Sequence, residues 1–487
     1  MSQSPHDAIV IGGGISGLAA AAYLARRRKR VVLLEAADTF GGLCRNAPLG
    51  DGVQIPLVAH ALYALDQRVV KDLKLARHGL KFAARDMPLA FLRSDGKHLV
   101  LSSRARDTAR SIALQSQADA EAWPRFRLHL LALARAMRSL WWNDQPLRLG
   151  PDQQTTLERL SRTGASAWLD TWFESDVLKA VLLFDATAQG LSPNEPGSAL
   201  SLVWRAAQEM CGQQGAVAFP LGGPGALVDA LARAARAAGA DLRTRTPVVK
   251  LMVANGAIGG VELDNGTISA PLVLSTLPAA ETFALAPPAA AGFAHARDLA
   301  RDRPRTGEAK VTFALSEIPM PGGVAVPLAS RFIFAERPET LASAHRASAR
   351  GPFPDEIAFE LILPSAIDPS LAPAGRHIVS ALVRPLPLTP DGGWLRHKAE
   401  LAARVAGVLD RHFPGLSQRI VAAEILTPDA LPPGRHASTT RMLSPWSERT
   451  QTPIAGLMLC GASAEPVAAV SGRAARLAVA KTMERKR

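Results

Sequence analysis

Cysteine is scarce in this chain, with three in 487 residues. Cys44, Cys211 and Cys460 include no CxxC pair, which excludes a disulfide framework and a cysteine zinc site and makes a reducing compartment the simpler setting. The eleven histidines show no HxxxH or HExxH pairing, so no metal site is expected. No run of eighteen or more strongly apolar residues occurs, so no membrane-spanning helix is expected. The N-terminus also lacks the basic-then-apolar order of a signal peptide. The expected location is cytoplasmic, either free or peripheral at the inner face of a membrane. Aromatic residues make up only 5% of the chain, and the charges are scattered. A nucleic-acid groove is therefore not expected, despite a net charge of +13. Nothing specifies an oligomeric state.

What is present begins at once. An apolar run at residues 8–11 leads into Gly12-x-Gly14-x-x-Gly17, with Ile15 and Ser16 between the glycines. An alanine-rich helical stretch follows, then Val31-Val32-Leu33-Leu34-Glu35-Ala36. This is a βαβ unit for a dinucleotide. Gly12 permits the tight turn, Gly14 lets backbone approach a pyrophosphate, and Gly17 lets helix and strand pack closely. The helix N-terminus offers free N–H groups and partial positive charge to phosphates. Glu35 is placed to accept hydrogen bonds from ribose hydroxyls. The basic cluster Arg26-Arg27-Arg28-Lys29-Arg30 ends the helix, where cations complement its dipole; a membrane-surface patch is the alternative. A second glycine pair, Gly41-Gly42, precedes Arg45 and brings backbone and one cation close to something anionic.

These residues together resemble the start of the FAD-dependent amine oxidase and phytoene desaturase superfamily. In that superfamily the Gly-Gly segment runs past the pyrophosphate toward the flavin. His60 follows this segment and is more simply structural than functional. Residues 60–75 read as a turn and an amphipathic helix, and residues 82–91 and 97–102 as strands of a hairpin turning at Asp95-Gly96. Residues 107–210 are largely helical. The best-defined helix, 125–142, places Phe126, Leu130, Leu133, Met137, Leu140 and Trp141 on one face and Arg127, Arg135 and Arg138 on another. It is core-facing with a solvated back, or else lies in a membrane interface. A later helical run with Trp168, Trp172, Phe173 and Leu178 either lines a lipid-sized cavity or is ordinary core.

A helix over residues 225–238 and a β-meander at 241–251, 258–263 and 272–275, turning at Asn255-Gly256 and Asn265-Gly266, are similar to the returning half of the same flavin domain. Within the superfamily they resemble the phytoene-desaturase-like oxidoreductases. The resemblance implies that Val248 contacts adenine through its backbone. Residues 286–439 open on a Pro/Ala-rich linker. They continue with strands near 310–315, 357–363 and 376–383 and a helix at 395–413, with no visible chemistry. The closing segment, an apolar strand into Cys460-Gly461-Ala462-Ser463 and then a helix containing Gly472, resembles the turn that meets the flavin ring. Glu465 replaces the histidine of that pattern, and Val467-Ala468-Ala469 replace its three glycines. Arg28 stands near where the group's first helix usually ends in glycine.

The resemblance implies an α/β architecture: a Rossmann-like FAD-binding domain assembled from residues 1–75, 215–285 and 440–487. A mixed sheet-and-helix substrate domain is inserted as 76–214 and 286–439. FAD is the expected cofactor. No catalytic acid or base is identified. The expected activity is removal of a hydride from, or isomerisation or oxidation of, an apolar isoprenoid-like lipid near a membrane surface. The alternatives are an amine-oxidase-like enzyme on a soluble substrate, or a partner protein that keeps the fold without the redox chemistry.

Overall fold

The computed structural model describes residues 6–142, 149–287, 305–322, 325–335, 337–431, 442–443 and 450–461. The β-branched opening run forms the central strand, Ala8–Ile11, of a five-stranded parallel sheet. Val31–Leu34 and then Asp241–Arg243 lie on one side of it, and Val273–Ser275 and then Leu457–Leu459 on the other. Alternation along these strands separates two cores. Ala8, Val10, Val31 and Leu33 pack beneath helices Ile15–Arg26 and Gly225–Ala237. Ile9, Ile11, Val32 and Leu34 pack under a three-stranded antiparallel layer, Val248–Ala254, Ala257–Leu263 and Gly266–Ser269. Alanines on the first helix, fully buried at Ala19 to Ala22, let it approach the sheet closely.

The meander therefore differs from its expected composition. Asp241–Arg243 and Val273–Ser275 belong to the parallel sheet, and the third meander strand is Gly266–Ser269. Both kinds of strand are short, apolar and bounded by turns, so pattern alone does not assign them to a sheet.

The first helix ends in a Schellman motif: the Lys29 N–H donates to Leu24 O and the Arg28 N–H to Ala25 O. Arg28 occupies the left-handed position, with φ of 58°. A side chain there costs about 1 kcal/mol relative to glycine. Arg28→Gly is expected to raise the thermal unfolding midpoint; an unchanged or lower midpoint counts against the assignment.

The second unit is built on a seven-stranded sheet. Its order is Ile420–Leu426, Gly307–Leu315, His377–Leu386, Phe359–Ile362, Arg331–Phe334, Leu89–Phe91 and Leu99–Leu101. Strands Arg331–Phe334 and Ile420–Leu426 were not anticipated. The 82–91 stretch divides at Pro88, with Phe82–Ala84 pairing instead with Phe219–Pro220. One sheet face, carrying Val311, Phe313, Phe332, Phe359 and Val379, packs with Leu401, Val405 and Leu409 of helix Trp394–Asp410.

A helical layer follows the hairpin: Gln117–Trp142, Pro151–Leu160, Ala165–Asp170, Asp176–Ala186 and Ser198–Ala207. The first starts eight residues before its expected boundary and carries Pro124 internally. Proline removes only one helical hydrogen bond, and the good helix formers ahead of it propagate the turn. Phe126, Leu133, Met137 and Trp141 are buried together with Trp168, Phe173 and Leu178, so these stretches are core. Arg138 departs from the expected solvated back, because it pairs with Glu209. Among the described residues no helix is long and apolar enough to cross a membrane.

Candidate functional site

The glycine-rich turn is forced by its surroundings. Gly12 has φ of 94°, and a side chain there would overlap Thr276 Oγ1, which itself donates to Ile11 O at 2.9 Å. A Cβ on Gly17 would overlap Gly12 O. Gly14 is different: no described residue lies within 4 Å of where its Cβ would be, which leaves its face open among them. Gly41, φ of 122°, donates its N–H to Gly13 O at 2.9 Å. This brings Gly42 opposite Gly14, where its Cβ would lie 3.7 Å from Gly14 Cα. Two bare backbone surfaces thus face each other at the N-terminus of helix Ile15–Arg26.

Glu35 closes the cradle. Its carboxylate accepts from the Gly13 N–H at 2.6 Å and from the Ala37 N–H at 2.8 Å, which fixes it while leaving lone pairs for further donors. The Thr246 N–H donates to Glu35 O at 2.8 Å, which sets the start of the meander, with Val248, beside the acid. Ile15 and Ser16 are buried, and Ser16 Oγ has no hydrogen-bond partner among the described residues. Gly461 sits against it, since a Cβ on Gly461 would be 2.9 Å from Ser16 Oγ. Ala36 is exposed. Arg45 is half-buried and donates to Thr39 Oγ1 at 3.4 Å. An open glycine face, an orphaned buried hydroxyl and a held carboxylate fit the adenosine-diphosphate half of FAD. Ala462, Gly472, Glu465 and residues 467–469 lie outside the described residues.

The chain beyond Gly42 leads to a cavity that sequence reasoning missed. Residues 43–64 form one wall, helices Asp176–Ala186 and Ser198–Ala207 another, and strands Gly307–Leu315 and His377–Leu386 a third; Leu43, Val58, Leu62, Trp204 and Leu382 give it an apolar lining. Behind it lies a buried polar network. It arises from strand alternation: Glu308, Lys310 and Thr312, Ser380, Leu382 and Arg384, Glu360, and Arg331 all share the sheet face opposite the Phe313 core.

Glu360 is the hub. His60 Nε2 lies 3.0 Å from its Oε1, Tyr63 O–H donates to the same oxygen, and Arg331 Nε donates to Oε2 at 3.0 Å. Arg331 also donates to Asp185 Oδ1 at 2.7 Å and to Oδ2 at 3.4 Å. Burial would raise the Glu360 carboxyl, but Arg331 and the His60 hydrogen bond hold it well below the usual range. Burial, reinforced by Glu360, raises the Tyr63 phenol, so it stays a neutral donor. Burial, together with the Lys310 charge, pushes His60 down to about 4. Lys310 is 1% exposed, and its Nζ has no partner among the described residues. Burial depresses it strongly against the pull of Glu360. A buried amine without a protein acceptor is a further place for a bound group or water.

The match to known proteins decides the family. Residues 15–351 fit the family described as flavin containing amine oxidoreductase. This chain belongs to that family. It is 30% identical to the rat (Rattus norvegicus) pyridine nucleotide-disulfide oxidoreductase domain-containing protein 2, covering 97% of this chain and 92% of that protein. It is 28% identical to a phytoene dehydrogenase of Streptomyces griseus, over 90% of this chain and 85% of the relative. Its fold is shared with an oxidoreductase from Methanosarcina mazei at 20% identity, with a TM-score of 0.67 over 98% of this chain and 99% of that one.

As a flavin containing amine oxidoreductase family member, the protein is an FAD-dependent oxidoreductase of the amine oxidase and phytoene desaturase type. The alternative of a partner protein without redox chemistry is set aside. Residues 286–439, where no chemistry was visible, supply Lys310, Arg331, Glu360, Ser380 and Arg384 to the buried polar face. His60, which seemed a lone structural histidine, is tied into their network, with Ser380 Oγ 3.4 Å from its Nδ1. The one cue in the sequence was the alternating pattern Glu308-x-Lys310-x-Thr312, three polar residues on an otherwise apolar strand.

His60 predicts acid sensitivity. Its folded pKa of about 4 lies below the ordinary value of 6.5, so between these limits the unfolded chain binds the extra proton. Stability is then expected to fall by about 3 kcal/mol as pH drops from 6.5 to 4. A thermal unfolding series across this range should show the slope in the parent and lose most of it in His60→Asn. Equal slopes would place the titration elsewhere.

Proposed function

We propose that this oxidoreductase removes a hydride from a C–H bond of a largely apolar, isoprenoid-like substrate seated in the cavity behind Gly41-Gly42. The observation that carries this reading is the state of the cavity's carboxylates. Asp185 is held by Arg331, and Glu308 lies 3.4 Å from Arg384. A substrate ammonium entering among apolar walls would need an unclaimed carboxylate to offset its desolvation, and these two are already neutralised. An uncharged hydrocarbon segment meets no such cost. The Streptomyces griseus relative, named for phytoene, supports the same substrate class.

Gly12, Gly14, Gly17, Glu35 and the Gly41-Gly42 backbone would hold the adenosine-diphosphate half of FAD, with Ser16 and Gly461 beside them. The chemistry that bound FAD supplies is acceptance of a hydride. The chain's own contribution is to bind and orient the substrate carbon and to exclude water. Leu43, Val58, Leu62 and Leu382 provide a dry wall, and the network behind them is rigid because the Glu360 carboxylate is saturated by three donors. Glu360 is no proton acceptor at neutral pH. His60 and Tyr63 are oriented toward it as neutral donors.

The test is anaerobic bleaching of the flavin's visible absorbance in the holoenzyme. Bleaching by an isoprenoid alkene in detergent, but not by mono- or diamines, supports the reading. Bleaching by an amine, with aldehyde formed, overturns it.

A further inference from the structure

One cation in the cavity wall has N–H groups that no acceptor among the described residues meets. Arg205, on helix Ser198–Ala207, is 4% exposed, yet its Nε and Nη1 have no hydrogen-bond partner among the described residues. Its Nη2 donates to Gly215 O at 3.2 Å. Its nearest carboxylate is Asp185, with Oδ2 3.8 Å from Nε, but both oxygens of that group already accept from Arg331. The guanidinium also lies over the Tyr63 ring, 5.3 Å from its centroid, which holds it in the wall without satisfying its N–H groups.

The neighbours repeat this one-sidedness. Trp204 Nε1 and Arg384 Nε are buried without acceptors among the described residues, and both residues line the same cavity as Arg205. Among the described residues, every buried cavity-wall atom without a partner is thus a donor. The carboxylate acceptors on that wall, Asp185 and Glu308, are committed to arginines. Leaving several charged donors unmet costs more than leaving neutral ones, so the complement of this wall is an acceptor-only, negatively charged group.

We propose that Arg205 receives an oxyanion end group of the substrate, which makes the substrate class an apolar chain terminating in a carboxylate or phosphate. This rests on the reading of the cavity as the substrate's site and adds the anchor to it. An arginine fork suits either oxyanion. Anchoring one end at Arg205 fixes which carbon of an otherwise featureless chain lies at the reacting position.

The test is calorimetric titration of the holoenzyme with decanol, decanoate and decyl phosphate at neutral pH. The expected result is that at least one anion binds roughly tenfold or more tightly than decanol, the scale of a hydrogen bond to a charged group; which anion is tighter names the end group. Arg205→Met is expected to remove that preference while leaving decanol affinity as it was, and Arg205→Lys to restore part of it. If decanol binds as tightly as both anions, or Arg205→Met weakens all three alike, the anchor is overturned while the apolar cavity stands. If none of the three binds, the cavity reading and the anchor fall together. The comparison of the three ligands on the parent protein needs no variant, so a poorly folding Arg205→Met leaves the proposal exposed to refutation.

Discussion

A Gly14→Ala variant is expected to fold as the parent does and to hold FAD tenfold more weakly or worse, whereas Gly17→Ala is expected to lose both stability and cofactor. The difference lies in what each methyl group would meet. At Gly14 no atom of the described residues lies within 4 Å of the added Cβ, and the backbone already has the extended φ of −68° and ψ of 175° that alanine adopts freely. The methyl meets no described protein atom and fills only the open space beside Gly14 that the pyrophosphate would use. Each tenfold loss of affinity is about 1.4 kcal/mol. At Gly17 the methyl overlaps Gly12 O, a backbone atom held in the turn. Relieving the overlap means moving the helix off the strand, which for overpacking of this kind costs about 1–3 kcal/mol. The measurement is flavin absorbance relative to protein absorbance after gel filtration, paired with the unfolding midpoint of the cofactor-stripped proteins. A Gly14→Ala protein that retains FAD at parental affinity would remove the pyrophosphate from this cradle.

Replacing Glu360 by alanine is expected to be the most damaging change in the unit built on the seven-stranded sheet. The substitution leaves Arg331 with Asp185 alone and strips His60 and Tyr63 of their shared acceptor. Removing one partner from a buried ionic network costs about 3–5 kcal/mol, and here Arg331 and Arg205 are left to share the Asp185 carboxylate. Glu360→Gln keeps an acceptor for the neutral donors and should fall between the two. The carboxyl is depressed in the folded protein, so its stabilisation is present above its ordinary unfolded value and is lost as pH falls through the lower, folded one. Urea midpoints at neutral pH check the first statement. The second is checked in strongly acidic buffer, where the parent and Glu360→Gln should converge. A Glu360→Ala protein as stable as the parent would show that the network orders the cavity without supporting the fold.

The two sites differ in how far they were legible beforehand. The cradle is a local device. Gly12, Gly14, Gly17 and Glu35 lie within one βαβ unit; Gly12 and Gly17 are demanded by a conformation or contact inside that unit, and Gly14 leaves the open face beside them. Even Gly41-Gly42 is only one strand further on, and its approach to Gly13 follows from the same turn. Arg28 is legible for the same reason, since the left-handed residue closing a helix is a matter of backbone within one turn.

The cavity is a different kind of object. His60, Asp185, Arg205, Arg331 and Glu360 span 300 residues of sequence, and none stands in a motif. Their strands read as ordinary apolar runs because one face of each is apolar. The polar face becomes meaningful only when four strands register side by side and place Lys310, Leu382 and Glu360 in one row. Two of the sheet's strands, Arg331–Phe334 and Ile420–Leu426, were invisible for a related reason: a four-residue run and a half-exposed edge strand carry too little alternation to stand out.

The sequence by itself therefore determined that the protein binds a dinucleotide, that its fold is α/β, and that Gly12, Gly14, Gly17 and Glu35 gather at one strand-to-helix turn. Those are consequences of backbone conformation and short-range spacing, which travel with the local sequence. Tertiary structure alone decided that a saturated carboxylate stands behind the cavity and that one arginine in its wall has N–H groups left without an acceptor among the described residues. Charge balance in a buried space depends on which distant side chains share it, and only the packed sheet and helices settle that.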